Sequence, residues 1–502
     1  MNHLFDQLRA RMPEPDRPFM NTQARGTLSY ADMLAGSARL AHALTEAGVV
    51  PGDRVAVQVE KSPEAILLYL ACVRAGAIFL PLNTGYTLTE LTYFFGDAEP
   101  RLIVCAPEMA TDIRSTAPTA VVETLDAHGE GSLTRRAGHM PSDYADVGRG
   151  PDDLAAILYT SGTTGRSKGA MLSHENLTSN ARTLVEAWRF TGDDVLIHAL
   201  PVFHTHGLFV ATNTILFAGA SMIFQPRFDA GDVLAAMPRA TCLMGVPTFY
   251  VRLLQQPGLT RDATAHMRLF VSGSAPLLAD THAAWRERTG HAILERYGMT
   301  ETNMNTSNPY DGERIAGTVG PPLPGVALRV TDPETAAPLA DGEIGMIEVR
   351  GPNVFSGYWR MPEKTLAEFR DDGFFITGDL GRIDAQGYVS IVGRGKDLVI
   401  SGGFNVYPKE VETAIDELTG VVESAVIGLP HPDFGEAVTA VVVLQEGADL
   451  TEADICALLA ANLARYKQPK RVIFVDELPR NTMGKVQKNL LRDRLASLYS
   501  GE

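Results

Sequence analysis

From about residue 27 the chain alternates short apolar runs with stretches of helical spacing. Ser29–Gly48 is predicted as an amphipathic helix, with Ser29 as N-cap and Asp32 completing a capping-box start. Arg54–Val57 reads as a strand, and Ala77–Leu80 as the next one. Between them Pro63–Gly76 is a helix with apolar residues at Ile66, Leu67, Leu70 and Val73. Strand-length apolar runs continue at Leu102–Cys105, Ala155–Tyr159, Val195–Ala199, Ser221–Phe224 and Leu269–Val271. This rhythm predicts parallel sheets covered by helices, an α/β fold. After about Gly317, Gly and Pro become frequent, and short alternating strands at Ala327–Thr331 and Gly345–Arg350 predict a more antiparallel subdomain near Thr318–Gly393. Beyond Arg394 lies a compact α+β stretch ending in the basic segment Lys485–Arg492. The main boundary is expected at Arg394–Asp397, giving a large domain 1–395 and a small one 396–502.

At 502 residues the chain exceeds what one hydrophobic core usually supports, which agrees with a division into domains. A formal net charge of -16 argues against nucleic-acid or anionic-membrane partners. It leaves anionic substrates open, because a local cluster of Arg and Lys reverses the field inside a cleft. Cys72, Cys105, Cys242 and Cys456 are scattered without a CxxC pair, which points to a reduced compartment rather than to disulfides or zinc. Asp6, Glu14 and Asp16 interrupt the apolar residues of the N-terminus, so no signal peptide is expected. No apolar run approaches the roughly 18 residues of a membrane span. A cytoplasmic enzyme is the expectation.

The first chemical signal is Tyr159-Thr-Ser-Gly-Thr-Thr-Gly-Arg-Ser-Lys-Gly169, directly after an apolar strand. Its glycines let backbone N–H groups turn inward, its hydroxyls add donors, and Arg166 and Lys168 add charge, a combination suited to polyphosphate. The bland alternative is a Ser/Thr/Gly surface turn. The Walker A spacing does not fit, and Gly393-Arg-Gly395 lacks the third glycine of a dinucleotide fingerprint. Gly165-Arg-Ser167-Lys-Gly169 matches the serine-hydrolase pattern GxSxG, but Ser167 lies too far beyond its strand for a nucleophile elbow.

The order YTSGTTGRSKG, SGSAP (Ser272–Pro276), YGMTE (Tyr297–Glu301), TGD (Thr377–Asp379), GRGKD (Gly393–Asp397), SGGFNVYPKEVE (Ser401–Glu412) and PRNTMGK (Pro479–Lys485) resembles the adenylate-forming superfamily. The resemblance spans nearly the whole chain. It implies that ATP activates a carboxylic acid as an acyl-adenylate, which a thiol such as coenzyme A then takes up. It also implies an N-terminal AMP-binding domain over 1–395 and a mobile C-terminal lid over 396–502. Thr160, Ser161, Gly162, Thr163, Thr164, Gly165 and Lys168 are then expected to cradle the β- and γ-phosphates. Ser274, Ala275 and Pro276 would border the adenine, with Glu295, Arg296, Tyr297, Gly298 and Met299 completing the nucleotide site. Thr300 would contact the α-phosphate, and Glu301 with Thr160 would hold Mg2+. Asp379 and Arg394 would face the ribose. Lys485 resembles the family's catalytic lysine, and the same resemblance raises its acetylation, through a lysine acetyltransferase and deacetylase. Lys396 corresponds to the hinge, and Lys396, Ser401, Gly402, Gly403 and Phe404 to the coenzyme A tunnel.

Which acid is used depends on other positions. Pro201-Val-Phe-His-Thr-His-Gly207 carries two histidines but no further metal ligands at useful spacing, so zinc is disfavoured. By the resemblance this region lines the acyl pocket, with His204 as a gate; it lacks the Asp that would pair with an amino acid. Pro247 opens a predicted helix that puts Thr248 and Arg252 on one face. Arg252 is equally a surface arginine or a partner for a second carboxylate. The strings HTHGL, GVPTFYVRLL, VSGSAPL and ERYGMTETNMNTSNPYDG resemble bacterial malonyl-CoA synthetases, which implies malonate, with methylmalonate tolerated. Arg252, Ser274, His206 and Met304 are the expected carboxylate contacts. A ligase for another short-chain or aryl acid remains the alternative.

Overall fold

The computed structural model describes residues 1–160, 167–401, 404–431, 434–460, 463–481 and 484–499. Contacts divide the chain into two compact units, one of Met1–Leu277, Thr281–Ala327 and Val349–Phe375, the other of Leu278–Asp280, Leu328–Glu348 and Ile376–Glu502. The fold is mixed α/β, as the alternation predicts.

The first unit contains two large sheets. In one, the strands run in the order Val121–Thr124, Leu102–Cys105, Arg54–Gln58, Ile78–Pro81, Leu154–Thr160, Lys168–Ser173. The first five are parallel neighbours, and the last closes as an antiparallel partner of Leu154–Thr160. Leu102–Cys105 and Ile78–Pro81 are buried along their whole length, as strands covered on both faces must be. The other sheet runs Asn303–Ser307, Leu294–Met299, Leu269–Ser272, Cys242–Gly245, Val195–His198, Ser221–Phe224, Pro18–Thr22, Gly26–Ser29. Its interior pairs are parallel and its two end pairs antiparallel.

Local chemistry sets the helix starts. Ser29 accepts from the Asp32 backbone N–H while the Asp32 carboxylate accepts from that of Ser29, opening the helix Tyr30–Glu46. Pro63 occupies the first turn of Pro63–Ala75, whose N-cap is Ser62.

One expectation needs correction. The polar loop does not extend to Gly169, because Lys168 and Gly169 already pair with Thr160 and Tyr159 across a hairpin. A Cβ at Gly169 would lie 2.9 Å from Ile157 and 3.3 Å from Trp359, so this glycine serves close packing rather than loop freedom.

The second unit holds most of the four-stranded sheet Ala327–Thr331, Gly345–Arg350, Phe375–Ile383, Val389–Arg394. Its C-terminal part is an α+β sandwich in which Val421–His431 and Gly435–Leu444 form a long antiparallel pair. Arg471–Phe474 adds a parallel strand, and Pro408–Asp416 packs its Val411 and Ile415 into the core. Among the described residues no helix is long and apolar enough to cross a membrane.

Candidate active site

At one end of the six-stranded sheet the phosphate-loop hairpin meets the turn after Leu294–Met299. Thr160, the last residue of its strand, donates from Oγ1 to Glu301 Oε1 at 3.3 Å. Glu301 is buried, and the Tyr358 hydroxyl lies 3.2 Å from the same oxygen. That hydroxyl has one proton, and the shorter contact, 2.6 Å to Glu368 Oε2, identifies where it goes. Glu368 also receives Lys168 Nζ at 3.1 Å and Lys364 Nζ at 2.8 Å. Burial opposes its ionisation, but the bonds from Lys364 and Tyr358 and the Lys168 charge outweigh that, so its pKa sits below the ordinary value. Burial raises the Tyr358 phenol far above its range, and the charge of Glu301 adds to this. Lys168 Nζ further stands 4.1 Å from the Tyr358 ring centroid. The buried Glu301 carboxylate and the Thr160 hydroxyl are hard oxygen donors on one point, which fits a Mg2+ ion sharing its shell with phosphates and water. Residues 161–165, expected to wrap the phosphates, lie outside the described residues.

A second cluster forms where the eight-stranded sheet meets the π-helical stretch His206–Thr212. His206 is buried; its Nδ1 shares a hydrogen bond of 3.2 Å with Ser274 Oγ, and its Nε2 has no protein partner among the described residues. Burial, aided by the nearby Arg296 charge, keeps the imidazole neutral. Ser274 has φ +71, a left-handed conformation that a serine adopts at an energetic cost. Arg296 is 4% exposed, and its Nε and Nη2 meet no partner among the described residues. Burial lowers its pKa to about 9. The guanidinium lies flat on the chain at Gly273, where a Cβ would fall 2.4 Å from Cζ, so only glycine fits. Met304 is buried on the adjoining strand Asn303–Ser307. Ala275 is half-buried, while Pro276 is exposed. Pro247 does open a helix, Pro247–Leu254, and Arg252 on it is exposed. His204, half-buried, accepts at Nδ1 from the His206 backbone N–H at 3.3 Å.

On the strand Leu294–Met299, Glu295 is buried, and desolvation raises its carboxyl to about 8 although the Gly317 N–H donates to it. Tyr297, Gly298, Met299 and Thr300 are half-buried.

In the second unit Asp379 is 4% exposed and faces Arg394 across an antiparallel pair, with Nε–Oδ1 at 2.8 Å. Lys396 is exposed on the single turn Gly395–Asp397. Ser401 is buried, whereas Phe404 is exposed with its ring 4.8 Å from that of Tyr466. Gly402 and Gly403 fall outside the described residues. Lys485 has an exposed side chain, and its backbone exchanges two 2.9 Å bonds with Asn481, N–H to Oδ1 and carbonyl to N–H.

A family model described as AMP-binding enzyme matches residues 8–359, and one described as AMP-binding enzyme C-terminal domain matches residues 410–485. The chain belongs to the AMP-binding enzyme family. Among solved members, the ATP-bound MatB of Rhodopseudomonas palustris is 64% identical, with a TM-score of 0.98 over 99% of this chain and 99% of that one. A feruloyl-CoA synthase of an Amycolatopsis species is 38% identical over 93% of this chain and 94% of its own length. A malonate–CoA ligase of Arabidopsis thaliana is 34% identical over 89% and 79% respectively. For an AMP-binding enzyme, motif order located the strand ends and turns that carry Thr160, Lys168, Ser274 and Glu301. It missed Tyr358 and Glu368, which sit in no chemically suggestive string and reach the site only through the fold.

Proposed function

We propose that this AMP-binding enzyme is a malonate–CoA ligase, forming malonyl-AMP and pyrophosphate from malonate and ATP and then malonyl-CoA and AMP. The carrying observation is the buried Arg296 guanidinium near Ser274 and His206, whose Nε and Nη2 meet no partner among the described residues. A buried cation without a counter-ion is unfavourable until an anion arrives. A short dianion supplies one carboxylate for adenylation and a second for this cation, whereas an aryl or fatty chain would leave it unpaired. The resemblance places Arg296 in the nucleotide string; its position against Gly273 supports the acid instead. Arg252, Ser274, His206 and Met304 complete the acid contacts, with His204 as the gate. Methylmalonate is accepted as a second substrate. The alternative, another short or aryl acid, is carried by the feruloyl-CoA synthase relative.

In the first step Lys168, Thr160 and the loop Ser161–Gly165 hold the β- and γ-phosphates, and Ser274–Pro276 with Glu295 and Tyr297–Met299 hold the adenine. Thr300 contacts the α-phosphate. Glu301 and Thr160 would hold Mg2+, which would supply charge neutralisation for the phosphates. Asp379 and Arg394 fix the ribose. Lys485 stabilises the charge that grows between the malonate oxygen and the α-phosphorus as pyrophosphate leaves. The domain 396–502 then turns about Lys396, withdrawing Lys485 and opening the thiol path past Ser401, Gly402, Gly403 and Phe404. One pocket thereby serves two dissimilar transition states. Acetylation of Lys485 by an acetyltransferase, reversed by a deacetylase, would remove the charge the first step needs. The cytoplasm supplies all three substrates and keeps the thiols reduced.

The test is a CoA-dependent assay of AMP release across short mono- and dicarboxylic acids. Malonate should exceed acetate and propionate in kcat/KM by about 100-fold or more. An aryl or fatty acid ahead of malonate would overturn the assignment.

A further inference from the structure

Behind the wall of the acid pocket lies a hydrogen-bond chain that neither half-reaction uses. Lys61, in the loop after Arg54–Gln58, is buried, and no carboxylate is within ion-pair distance of it among the described residues. Its Nζ donates to the His198 carbonyl at 2.7 Å, lies 3.0 Å from His198 Nδ1, and stands 4.3 Å from the Phe224 ring centroid. The Lys61 amine thus faces a carbonyl, a ring nitrogen and an aromatic ring. On the other side of the imidazole, Nε2 lies 2.9 Å from the Gly207 carbonyl, which also accepts from Thr212 Oγ1 at 2.9 Å.

Burial, with the Lys61 charge, keeps His198 neutral, so the ring has a single N–H and a choice of two nitrogens. Burial pushes the Lys61 pKa well down, yet its amine, charged or neutral, has an N–H to give Nδ1, whereas the Gly207 carbonyl can only accept; the ring proton therefore sits on Nε2, aimed at Gly207. The other tautomer would set two acceptors against each other at 2.9 Å. The chain passes close to Pro201 here, since a Cβ at Gly207 would fall 2.1 Å from the Pro201 carbonyl, so no side chain fits at this position. The carbonyl that His198 grips belongs to the residue after His206, at the start of the π-helical stretch, an element often found where a site needs a defined local geometry.

We propose that Lys61 is a positioning residue for the acid. By donating to His198 Nδ1 it fixes the Nε2–H tautomer, and the resulting bond to Gly207 holds the turn that presents His206. This rests on the proposed role of His206 in acid binding, but the tautomer itself can be read without any substrate.

The experiment uses the full-length protein with 15N-labelled histidine, His198 being assigned from the signal lost in His198→Gln. Long-range 1H–15N correlation should show wild-type His198 as the Nε2–H tautomer, and Lys61→Met should lose that single-tautomer pattern. Lys61→Met should raise the malonate KM about tenfold or more while the ATP KM stays within about twofold. In the double variant Lys61→Met/His198→Gln, the glutamine amide donates to Gly207 without help from a lysine. Its malonate KM should therefore return to within about threefold of that of His198→Gln alone. An Nδ1–H or doubly protonated His198 in the wild type overturns the proposal, and this reading needs no variant beyond the His198→Gln used for assignment. So does a Lys61→Met protein with unchanged tautomer and unchanged malonate KM, or a double variant that is not rescued. If the wild type turns over a different acid but shows the tautomer shift, the substrate assignment fails and the clamp stands, with KM read for that acid.

Discussion

Replacing Arg296 with methionine keeps much of the side-chain volume and removes its charge. In the free protein the guanidinium is buried and Nε and Nη2 are without partners among the described residues. Its pKa falls to about 9 because burial disfavours the charged form. At about 1.36 kcal/mol per pH unit, holding the charge in the folded state costs on the order of 4–5 kcal/mol at neutral pH. The folded pKa lies below the unfolded one, so the penalty is complete below about pH 9 and fades at more alkaline pH. Arg296→Met should recover part of this, about 1–3 kcal/mol, and raise the unfolding temperature. Activity should move the other way, because a desolvated Arg–carboxylate pair is lost, worth about 2–5 kcal/mol. That corresponds to a fall in kcat/KM for malonate of between about 30-fold and several thousand-fold. Thermal unfolding, with and without malonate, and malonate-dependent pyrophosphate release measure the two effects. A protein that loses stability, or that keeps its malonate kcat/KM within about threefold, would refute the assignment of Arg296 to the acid.

Four further outcomes are expected. Arg252→Ala should raise the malonate KM by about tenfold while leaving stability within about 0.5 kcal/mol, since the residue is exposed; kinetics and thermal unfolding check both, and intact malonate activity would remove Arg252 from the acid site. Glu301→Gln should lower kcat by about 100-fold or more and shift the Mg2+ titration to higher concentration. Lys485→Ala should slow adenylate formation by about 100-fold or more yet leave thioester formation from preformed malonyl-AMP nearly intact, a split that stopped-flow assays of each half-reaction resolve. Glu295 has a folded carboxyl pKa raised to about 8 by burial, so its contribution to stability is fully present below about pH 4.5 and is lost as the pH rises through 8. Glu295→Gln should flatten the stability profile over that window in pH-resolved thermal unfolding.

What was legible in the sequence is what short-range physics determines. The Ser29–Asp32 capping box and the strands Leu102–Cys105 and Ser221–Phe224 appear where the pattern puts them, because caps and buried strands are written in neighbouring residues. The end of the phosphate hairpin was not legible. Lys168 and Gly169 look like loop chemistry by composition, and only pairing with Tyr159 and Thr160 makes them strand. The same limit hid the partners of the nucleotide site. Tyr358 is 57 residues from Glu301, and Glu368 is 200 residues from Lys168, so nothing local relates them.

Arg296 shows the same limit at the level of specificity. Its place in the string Glu295–Met299 suggests nucleotide chemistry, while its meaning depends on burial, on Nε and Nη2 atoms without a partner among the described residues, and on a glycine at another strand end. Motifs that hold ATP are contiguous because phosphate needs closely spaced backbone donors and turns. In the proposed reading, recognition of the acid is assembled from Gly273–Ser274, Arg296, His206 and the Pro247–Leu254 helix, each set by a different connection. A neutral residue at position 296 would leave every ATP motif, and the fold, intact. It would remove the buried charge that, in the proposed reading, waits for a second carboxylate. Under this reading, a change of acid within the family needs no change in the machinery that activates it, only in which buried group is left for the substrate to satisfy.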